Sequence, residues 1–230
     1  SKLKDRYELY SDYKHSFFYS FIRKQTIKAR NNFFKYFIEN TDYTIDKSVI
    51  DIGTAPSLDD ENNVFLAHVK DNKNVSCLSN QDCSILKKKY TNIKDIFIGH
   101  GQNMKLEDNS FDISHSNAVI EHIGSYENQI SLIKEMTRIS KNYVFIQTPN
   151  RYYPIEFHTN LPFIHWLPKN MYRKLLRLFK LEFYSEEENL NLLTKKDLIN
   201  ICGQLNLRKF KIIEHKLLFL TSHLVLVIEK

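Results

Sequence analysis

Residues 99–123, GHGQNMKLEDNSFDISHSNAVIEHI, decide the fold that we predict for this chain. The segment 111–116 is predicted as a β-strand, and the polar residues 117–122 follow where that strand gives way to a loop. In open α/β sheets, ligands bind just outside the carboxyl ends of the strands. The segment therefore indicates both a strand and the place where a ligand would bind.

Strands and helices alternate on both sides of this segment. Further strands are predicted at 48–53, 74–79, 95–100 and 142–147, with helices at 61–70, 81–90 and 125–140. Such alternation implies right-handed crossovers and a mostly parallel sheet that is covered on both faces.

The two ends of the chain follow different patterns. Aromatic and apolar residues recur at spacings of three and four before residue 45, which predicts helices over 3–20 and 22–40. Near the other end, a helix over 194–205 is predicted to begin at the N-cap Thr194, with Asp197 at its third position. Two last strands, 209–219 and 223–230, have only a short link around residues 221–222, so we expect them to be antiparallel.

Together these elements predict an α/β, Rossmann-like fold. It has a seven-stranded, mostly parallel sheet with an antiparallel last strand, helices on both faces and an N-terminal helical cap. The predicted division is a cap at 1–45 and a main domain at 46–230, with an insertion at 150–190.

Composition narrows the function classes. No apolar run approaches the roughly 20 residues that span a bilayer, and residues 1–6 show no export signal, so we expect a cytoplasmic protein. The net charge of +6 permits an anionic partner, but without an aromatic-basic binding pattern nucleic acid is not favoured. The three cysteines are interpreted as buried free thiols, and a homo-oligomer stays open.

The segment 99–123, with its D-N-S-F-D and A-V-I-E-H parts, resembles the core of class I S-adenosylmethionine (SAM) dependent methyltransferases, and more closely the type 11 methyltransferase domain family. The resemblance covers residues 45–150 and, in topology, 195–230. It implies SAM as the cofactor. The positions that it assigns to cofactor binding are Asp51, Gly53, Thr54, Ser79, Asp82, His100, Gly101, Gln102, Asn117 and Ala118.

Three positions depart from the family pattern. The first loop, G-T-A-P-S at 53–57, has one glycine where the family has several. Ser79 stands where the family places an acidic residue for the ribose hydroxyls, and Asp82 is the carboxylate that follows it. His100 replaces the usual aspartate near the adenine.

The insertion that follows the strand 142–147 begins at the same edge and is expected to face the methyl acceptor. Arg151, Tyr152 and Glu156 are predicted to bind the acceptor. His122 and His158 are the candidate catalytic bases, since a hydroxyl acceptor needs a base whose pKa lies near the working pH. A metal would need converging ligands, which Glu121, His122, His158 and His165 could supply, but we expect none.

We therefore predict an enzyme that transfers a methyl group from SAM to a small polar acceptor. By family analogy alone, that acceptor is a sugar or a phosphate-bearing intermediate of bacterial surface polysaccharide biosynthesis. An RNA or protein methyltransferase and a catalytically degenerate, methyltransferase-like binding subunit stay open as alternatives. A NAD-dependent dehydrogenase is disfavoured, because no Gly-x-Gly-x-x-Gly follows the first strand.

Overall fold

One seven-stranded sheet organises the chain. The computed structural model describes residues 29 and 31–230. The strands are β1 (Val49–Ile52), β2 (Val75–Ser79), β3 (Ile93–Ile98), β4 (Phe111–Asn117), β5 (Ser140–Pro149), β6 (Phe210–Leu217) and β7 (Leu220–Glu229). Their order in the sheet is β3-β2-β1-β4-β5-β7-β6.

Strand direction confirms the predicted topology. The pairs β1–β2, β1–β4, β2–β3 and β4–β5 are parallel, whereas β7 is antiparallel to both β5 and β6. The chain therefore has the predicted mostly parallel sheet, in which β7 is the reversed strand.

The described helices agree with the predicted bounds where they are long and differ from them where they are short. They are α1 (residues 29 and 31–40), α2 (Val64–His68), α3 (Tyr126–Ile139), α4 (Lys169–Leu178), α5 (Glu182–Ser185) and α6 (Lys195–Gln204), together with 3₁₀ turns at Ser84–Lys88, Ile120–His122 and Ile164–Trp166. The long helices α3 and α6 match their predictions closely. The predicted helix 81–90 is instead a 3₁₀ turn, and the predicted helix 3–20 lies outside the described residues.

Helices cover both faces of the sheet, as predicted. On one face, α3 and α6 contribute Leu132, Ile133 and Ile201 to a buried cluster with the sheet residues Ile50 and Ile52. On the other face, apolar residues of α1 and α2 pack against the sheet in a second buried cluster. Phe33 and Phe37 of α1 are part of that core, so the described part of the predicted cap packs directly on the sheet. The division into a cap and a main domain stays a prediction.

The link between β6 and β7 differs from the prediction. The turn lies at Leu218 and Phe219, with φ angles of 50° and 71°, and residues 221–222 already belong to β7. Left-handed backbone is rare for bulky residues and is usually taken by glycine or asparagine. Neither residue stands at this turn, so the sequence carries no signal of its position.

The insertion after β5 forms a third apolar cluster through Tyr172, Leu176 and Tyr184. Asn150 and Leu193 form a bridge, so both ends of the insertion return to the same edge of the sheet. Within the described part of the chain, no helix is both long and apolar enough to cross a membrane.

Candidate active site at the carboxyl edge of the sheet

The carboxyl ends of β1, β2, β4 and β5 lie side by side because these strands are parallel neighbours. Gly53 ends β1 with φ of 85° and donates its N–H to the carbonyl of Leu78 (2.8 Å). A Cβ at Gly53 would overlap the side chain of Val119, which follows β4. Glycine at this position therefore permits both the left-handed turn and the contact between the first loop and the β4 loop.

Asp51 lies on β1 opposite His115 of β4 in the strand register. Its Oδ1 atom is 2.6 Å from Nδ1 of His115, and its Oδ2 atom accepts from Thr54 Oγ1 (2.9 Å). The His115 ring is stacked on Phe65, with 3.7 Å between ring centroids. A carboxylate offers about four lone-pair sites, so Asp51 keeps acceptor capacity while these two contacts fix its orientation.

The N–H groups of the first loop bond within the protein. Thr54 N–H donates to the carbonyl of Leu78 (3.3 Å) and Ala55 N–H to Asn63 Oδ1 (3.2 Å). The N–H groups of Gly53, Thr54 and Ala55 therefore all have hydrogen-bond acceptors within the protein, although the loop contains one glycine.

The ends of β2 and β3 carry the residues predicted for the ribose and adenine. The Ser79 hydroxyl accepts from the N–H of Gln81 (3.3 Å) and is buried. Asp82 is exposed and accepts from Ser84 N–H (2.8 Å), a local bond just before the 3₁₀ turn at Ser84–Lys88. Gly101 packs closely on the core, since a Cβ there would lie 2.6 Å from Leu132 Cδ1.

The loop after β4 contains a second left-handed residue. Ala118 has φ of 54° and donates its N–H to the carbonyl of Gln147 on β5 (2.9 Å). Asn117, the last residue of β4, is half-buried. This turn directs residues 120–122 into a 3₁₀ turn below the insertion.

The two histidines predicted to be catalytic contact each other. His122 Nε2 and His158 Nε2 are 3.0 Å apart. His158 Nδ1 lies 2.6 Å from Glu156 Oε1, and His122 Nδ1 lies 2.6 Å from the main-chain carbonyl of Asn189. The structure thus joins three of the predicted site residues in one continuous polar chain.

Glu156 is the buried anchor of this chain, with a side chain that is 1% exposed. Burial alone raises the pKa of the carboxyl group, but the charge of His158 and hydrogen bonds from His158 and Thr159 outweigh it and lower the pKa to about 2. Its second oxygen accepts from the N–H of Thr159 (2.6 Å). Glu156 is therefore ionised at neutral pH and holds His158 in one orientation.

Glu121 adds a second buried carboxylate beside the histidines. Its Oε1 atom is 4.0 Å from His122 Nε2, and its Oε2 atom accepts from Thr148 Oγ1 (2.9 Å). Sequence reasoning did not give Thr148 or Asn189 a role. Asn189 acts through its main-chain carbonyl, so its side chain carries no signal that sequence reasoning could have used.

Arg151 and Tyr152 stand apart from this polar chain. The Arg151 guanidinium donates to the carbonyls of His165 (3.1 Å) and Leu167 (2.9 Å), which braces the insertion. Tyr152 is 61% exposed. His165 Nε2 lies 2.7 Å from the carbonyl of Tyr153, and burial lowers the pKa of its ring. The acceptor-binding roles of Arg151 and Tyr152 stay predictions.

The comparisons with known proteins agree with the fold. Residues 66–145 match the family model described as a methyltransferase domain. Among solved structures, a SAM-dependent methyltransferase from Archaeoglobus fulgidus aligns with a TM-score of 0.59 at 14% identity, covering 94% of this chain and 100% of that one. One from Methanosarcina mazei aligns with a TM-score of 0.54 at 16% identity, covering 84% and 96%.

A SAM-dependent methyltransferase from Aquifex aeolicus also aligns, with a TM-score of 0.53 at 11% identity, covering 89% of this chain and 88% of that one. No curated protein sequence matches the chain. The chain therefore has the fold of the class I SAM-dependent methyltransferases, and its residues 66–145 match the model of the methyltransferase domain family that the sequence resembles.

Proposed function

We propose that the chain transfers a methyl group from SAM to a small polar acceptor that carries a hydroxyl group. The observation that carries this proposal is the chain of contacts from Glu156 through His158 to His122. It lies beside the loop after β4, at the edge where this fold binds its cofactor. The cytoplasmic location expected from the sequence belongs to the same proposal.

The residues at this edge fit the cofactor. The spare lone pairs of Asp51 suit the methionine ammonium group, because a charge-assisted bond is strong at a partly desolvated carboxylate. The proposal assigns the Ser79 hydroxyl to the ribose, and the family resemblance assigns the main chain of Gly101 and Gln102 to the adenine. When bound, SAM supplies an electrophilic methyl group on a sulfonium, which an acceptor oxygen attacks in line as the carbon–sulfur bond breaks.

The protein's own part in the reaction is alignment and activation of the acceptor. Orientation of two reactants in a dry site contributes roughly 7–11 kcal/mol to the lowering of a barrier. A hydroxyl oxygen also needs its proton withdrawn as the new bond forms, and we assign that activation to His122 and His158. Glu156 fixes the ring of His158, so the imidazole does not have to reorganise during the step.

The charges around the histidines favour a hydroxyl over an anionic acceptor. Glu121 and Glu156 place two carboxyl groups in the cluster, and both described bonds of the Arg151 side chain go to main-chain carbonyls. A phosphate-bearing acceptor would meet like charge there without a dedicated cation. A sugar hydroxyl suits this site, and the narrower link to surface polysaccharide rests on the family analogy alone.

A second candidate function has one observation in its favour. The N–H groups of Gly53, Thr54 and Ala55 all bond within the protein, so the first loop has fewer donors to offer the cofactor's carboxylate. A loop with weakened SAM affinity would suit a methyltransferase-like binding subunit.

Turnover of SAM in the presence of hydroxyl-bearing acceptors tests the proposed function. We expect His158→Gln to leave SAM affinity unchanged and to lower turnover by about 10²–10⁴-fold, the usual contribution of acid–base activation. His68→Gln is the matched control, because His68 is exposed, and its described contacts are with the Val64 carbonyl one helical turn away (2.7 Å) and with the Phe34 ring. Full turnover in the His158 variant would refute the assigned role.

A further inference from the structure

The contact between His122 and His158 has an unusual hydrogen balance. A carbonyl oxygen only accepts hydrogen bonds, so Nδ1 of His122, which faces the carbonyl of Asn189, carries a hydrogen. Glu156 Oε1 accepts from the main-chain N–H of His158 (3.0 Å) and lies 2.6 Å from its Nδ1 atom, so this carboxylate oxygen likewise faces a hydrogen on Nδ1 of His158. Each ring in its neutral form then presents a lone pair at Nε2, and these two atoms are 3.0 Å apart. A positive charge has to lie between them.

A third ligand atom lies beside the two nitrogens. Glu121 Oε1, His122 Nε2 and His158 Nε2 all lie within 4.8 Å of one another. Ligands bound tetrahedrally at about 2.0–2.1 Å are separated by roughly 3.3–3.4 Å. The separations of 3.0 Å between the nitrogens and 4.0 Å from His122 to Glu121 lie on either side of that value.

Each of these ligands is held by an outer partner. Metal-binding histidines characteristically donate their other ring N–H to a carboxylate or a main-chain carbonyl. Glu156 provides the carboxylate for His158 and Asn189 the carbonyl for His122, while Thr148 donates to Glu121. The outer partners of all three ligands are therefore in place, on the loop after β4, the end of β5 and the insertion.

The charge of the cluster distinguishes a metal ion from a shared proton. Glu121 is fully buried and the Glu156 side chain is 1% exposed, so two carboxyl groups share a poorly hydrated space with the two rings. Burying net charge is costly. One proton would leave the cluster negative, whereas one divalent cation would make it neutral.

We propose that Glu121, His122 and His158 bind one divalent transition-metal cation, with Zn²⁺ as the representative ion. Two imidazoles and one carboxylate form a ligand set typical of catalytic sites that keep a further position open. The proposal deepens the proposed function and rests on it for the role of the open position, which would take the acceptor hydroxyl and lower its pKa. His122 and His158 then act as ligands, and the cation takes over the activation that the proposed function assigns to them. The bound hydroxyl would release its proton to solvent, and its oxygen would attack the methyl group of SAM as the carbon–sulfur bond breaks.

Calorimetric titration of the chelator-treated, full chain with Zn²⁺ tests the site directly. We expect one Zn²⁺ per chain, and we expect Glu121→Gln and His158→Gln each to weaken binding by at least about 100-fold. The outer variant Glu156→Gln should weaken it by about 10–100-fold. The control His68→Gln should bind as the unaltered chain does. Absence of binding, or equal affinity in all four variants, would overturn the proposal in favour of a proton shared by two rings.

A spectroscopic measurement on the unaltered chain covers the case in which a variant fails to fold. Titration with Co²⁺ should produce the intense visible absorption of a four-coordinate ion with nitrogen and oxygen ligands, and Zn²⁺ should displace it. A spectrum of hexahydrated Co²⁺ at every ratio would contradict the site. SAM binding is measured in parallel without metal: its loss would refute the proposed function, whereas loss of metal binding alone would refute only this inference.

Discussion

Gly53 connects the two loops that the cofactor site needs. Its left-handed turn ends β1, and the space that a side chain would fill is taken by Val119 from the loop after β4. A glycine that was singled out as a cofactor contact is thus also a packing residue. Any effect of changing it on SAM binding has to be separated from its effect on stability.

We expect Gly53→Ala to lower the free energy of unfolding by about 2–4 kcal/mol, because both left-handed strain and overpacking against Val119 apply. Urea unfolding followed by circular dichroism measures the change. Gly203→Ala is the control: Gly203 lies in α6 with open space around it, and alanine there should stabilise the chain by roughly 0.5–1 kcal/mol. Equal stability of the Gly53 variant and the unaltered chain would contradict the described contact.

Single positions differ in how far the sequence could predict them. The family resemblance was sufficient to place Asp51 and Gly53 at the end of β1. The partner of Asp51 could not be predicted, because His115 is 64 residues away and reaches it only through the register of β1 and β4. The two carbonyl contacts of Arg151 within the insertion were not predicted either, because they depend on how the insertion folds, and its acceptor-binding role stays a prediction.

Helix α6 is an element whose sequence contains its own start signal. Thr194 and Asp197 form a reciprocal capping box, in which Asp197 N–H donates to Thr194 Oγ1 (3.2 Å) and Thr194 N–H donates to Asp197 Oδ2 (2.8 Å). A capping box of this kind can be predicted from the four residues 194–197 alone. The predicted and observed bounds of α6 accordingly differ by a single residue at each end.

Thr194→Ala should lower the free energy of unfolding by about 1 kcal/mol, because the first helical N–H groups lose their cap. Thr137→Ala provides the comparison, since Thr137 lies inside α3 and its hydroxyl bonds to the carbonyl of Ile133 (2.7 Å). Thr137→Ala should alter the free energy of unfolding by no more than about 0.5 kcal/mol in either direction. Chemical denaturation of both variants decides the matter, and an equal loss in the two would argue against the cap.

Short elements were predicted less well than long ones. The 3₁₀ turn at Ser84–Lys88 has helix-forming lysines, but its N-cap Cys83 makes no side-chain cap bond and few residues remain before β3 begins at Ile93. The turn at Leu218 and Phe219 is set by the pairing of β6 with β7 rather than by its own residues. In both places the sheet overrides local preference.

The fold as a whole brings together site residues that lie far apart in the sequence. Glu121 and His122 follow β4, whereas Glu156 and His158 lie in the insertion after β5, and parallel neighbours place the two segments at one edge. The sequence named Glu121, His122, His158 and His165 as ligands that could converge, and the structure brings the first three together. The ring-to-ring contact and the carbonyl of Asn189 were not predicted, because they depend on how the insertion folds back.

Asp112 of β4 bonds to Ser48, the residue before β1, and makes stability depend on pH. Its Oδ2 atom accepts from Ser48 N–H (2.8 Å) and Ser48 Oγ (2.7 Å). Partial burial raises the pKa of Asp112, but the bonds from Ser48 and the charges of Lys141 and Lys47 outweigh it, so the pKa is lowered from 3.8. Because the pKa of Asp112 is lower in the folded state, its ionised carboxylate stabilises the folded chain fully above pH 3.8. This stabilisation is lost as the pH falls through the folded-state pKa.

Asp112→Asn should therefore lower the free energy of unfolding by about 1–3 kcal/mol at pH 7, the range for hydrogen bonds to a charged group. The difference from the unaltered chain should shrink as the pH falls below 3.8. Urea titrations at several pH values measure it, with the exposed Asp95→Asn as control. A difference that stays constant down to acid pH would contradict a stabilising carboxylate at this position.

Calorimetric titration of the full chain with SAM tests most directly whether this edge of the sheet is a cofactor site. We predict one SAM per chain, binding at least about 10-fold weaker in Asp51→Asn, where the charge-assisted bond to the ammonium group is lost. Affinity should be unchanged in Asp95→Asn, which removes an exposed carboxylate from β3. Absence of binding at about 1 mM SAM, a concentration at the top of the usual KM range, or equal affinity in the two variants, would contradict the assignment.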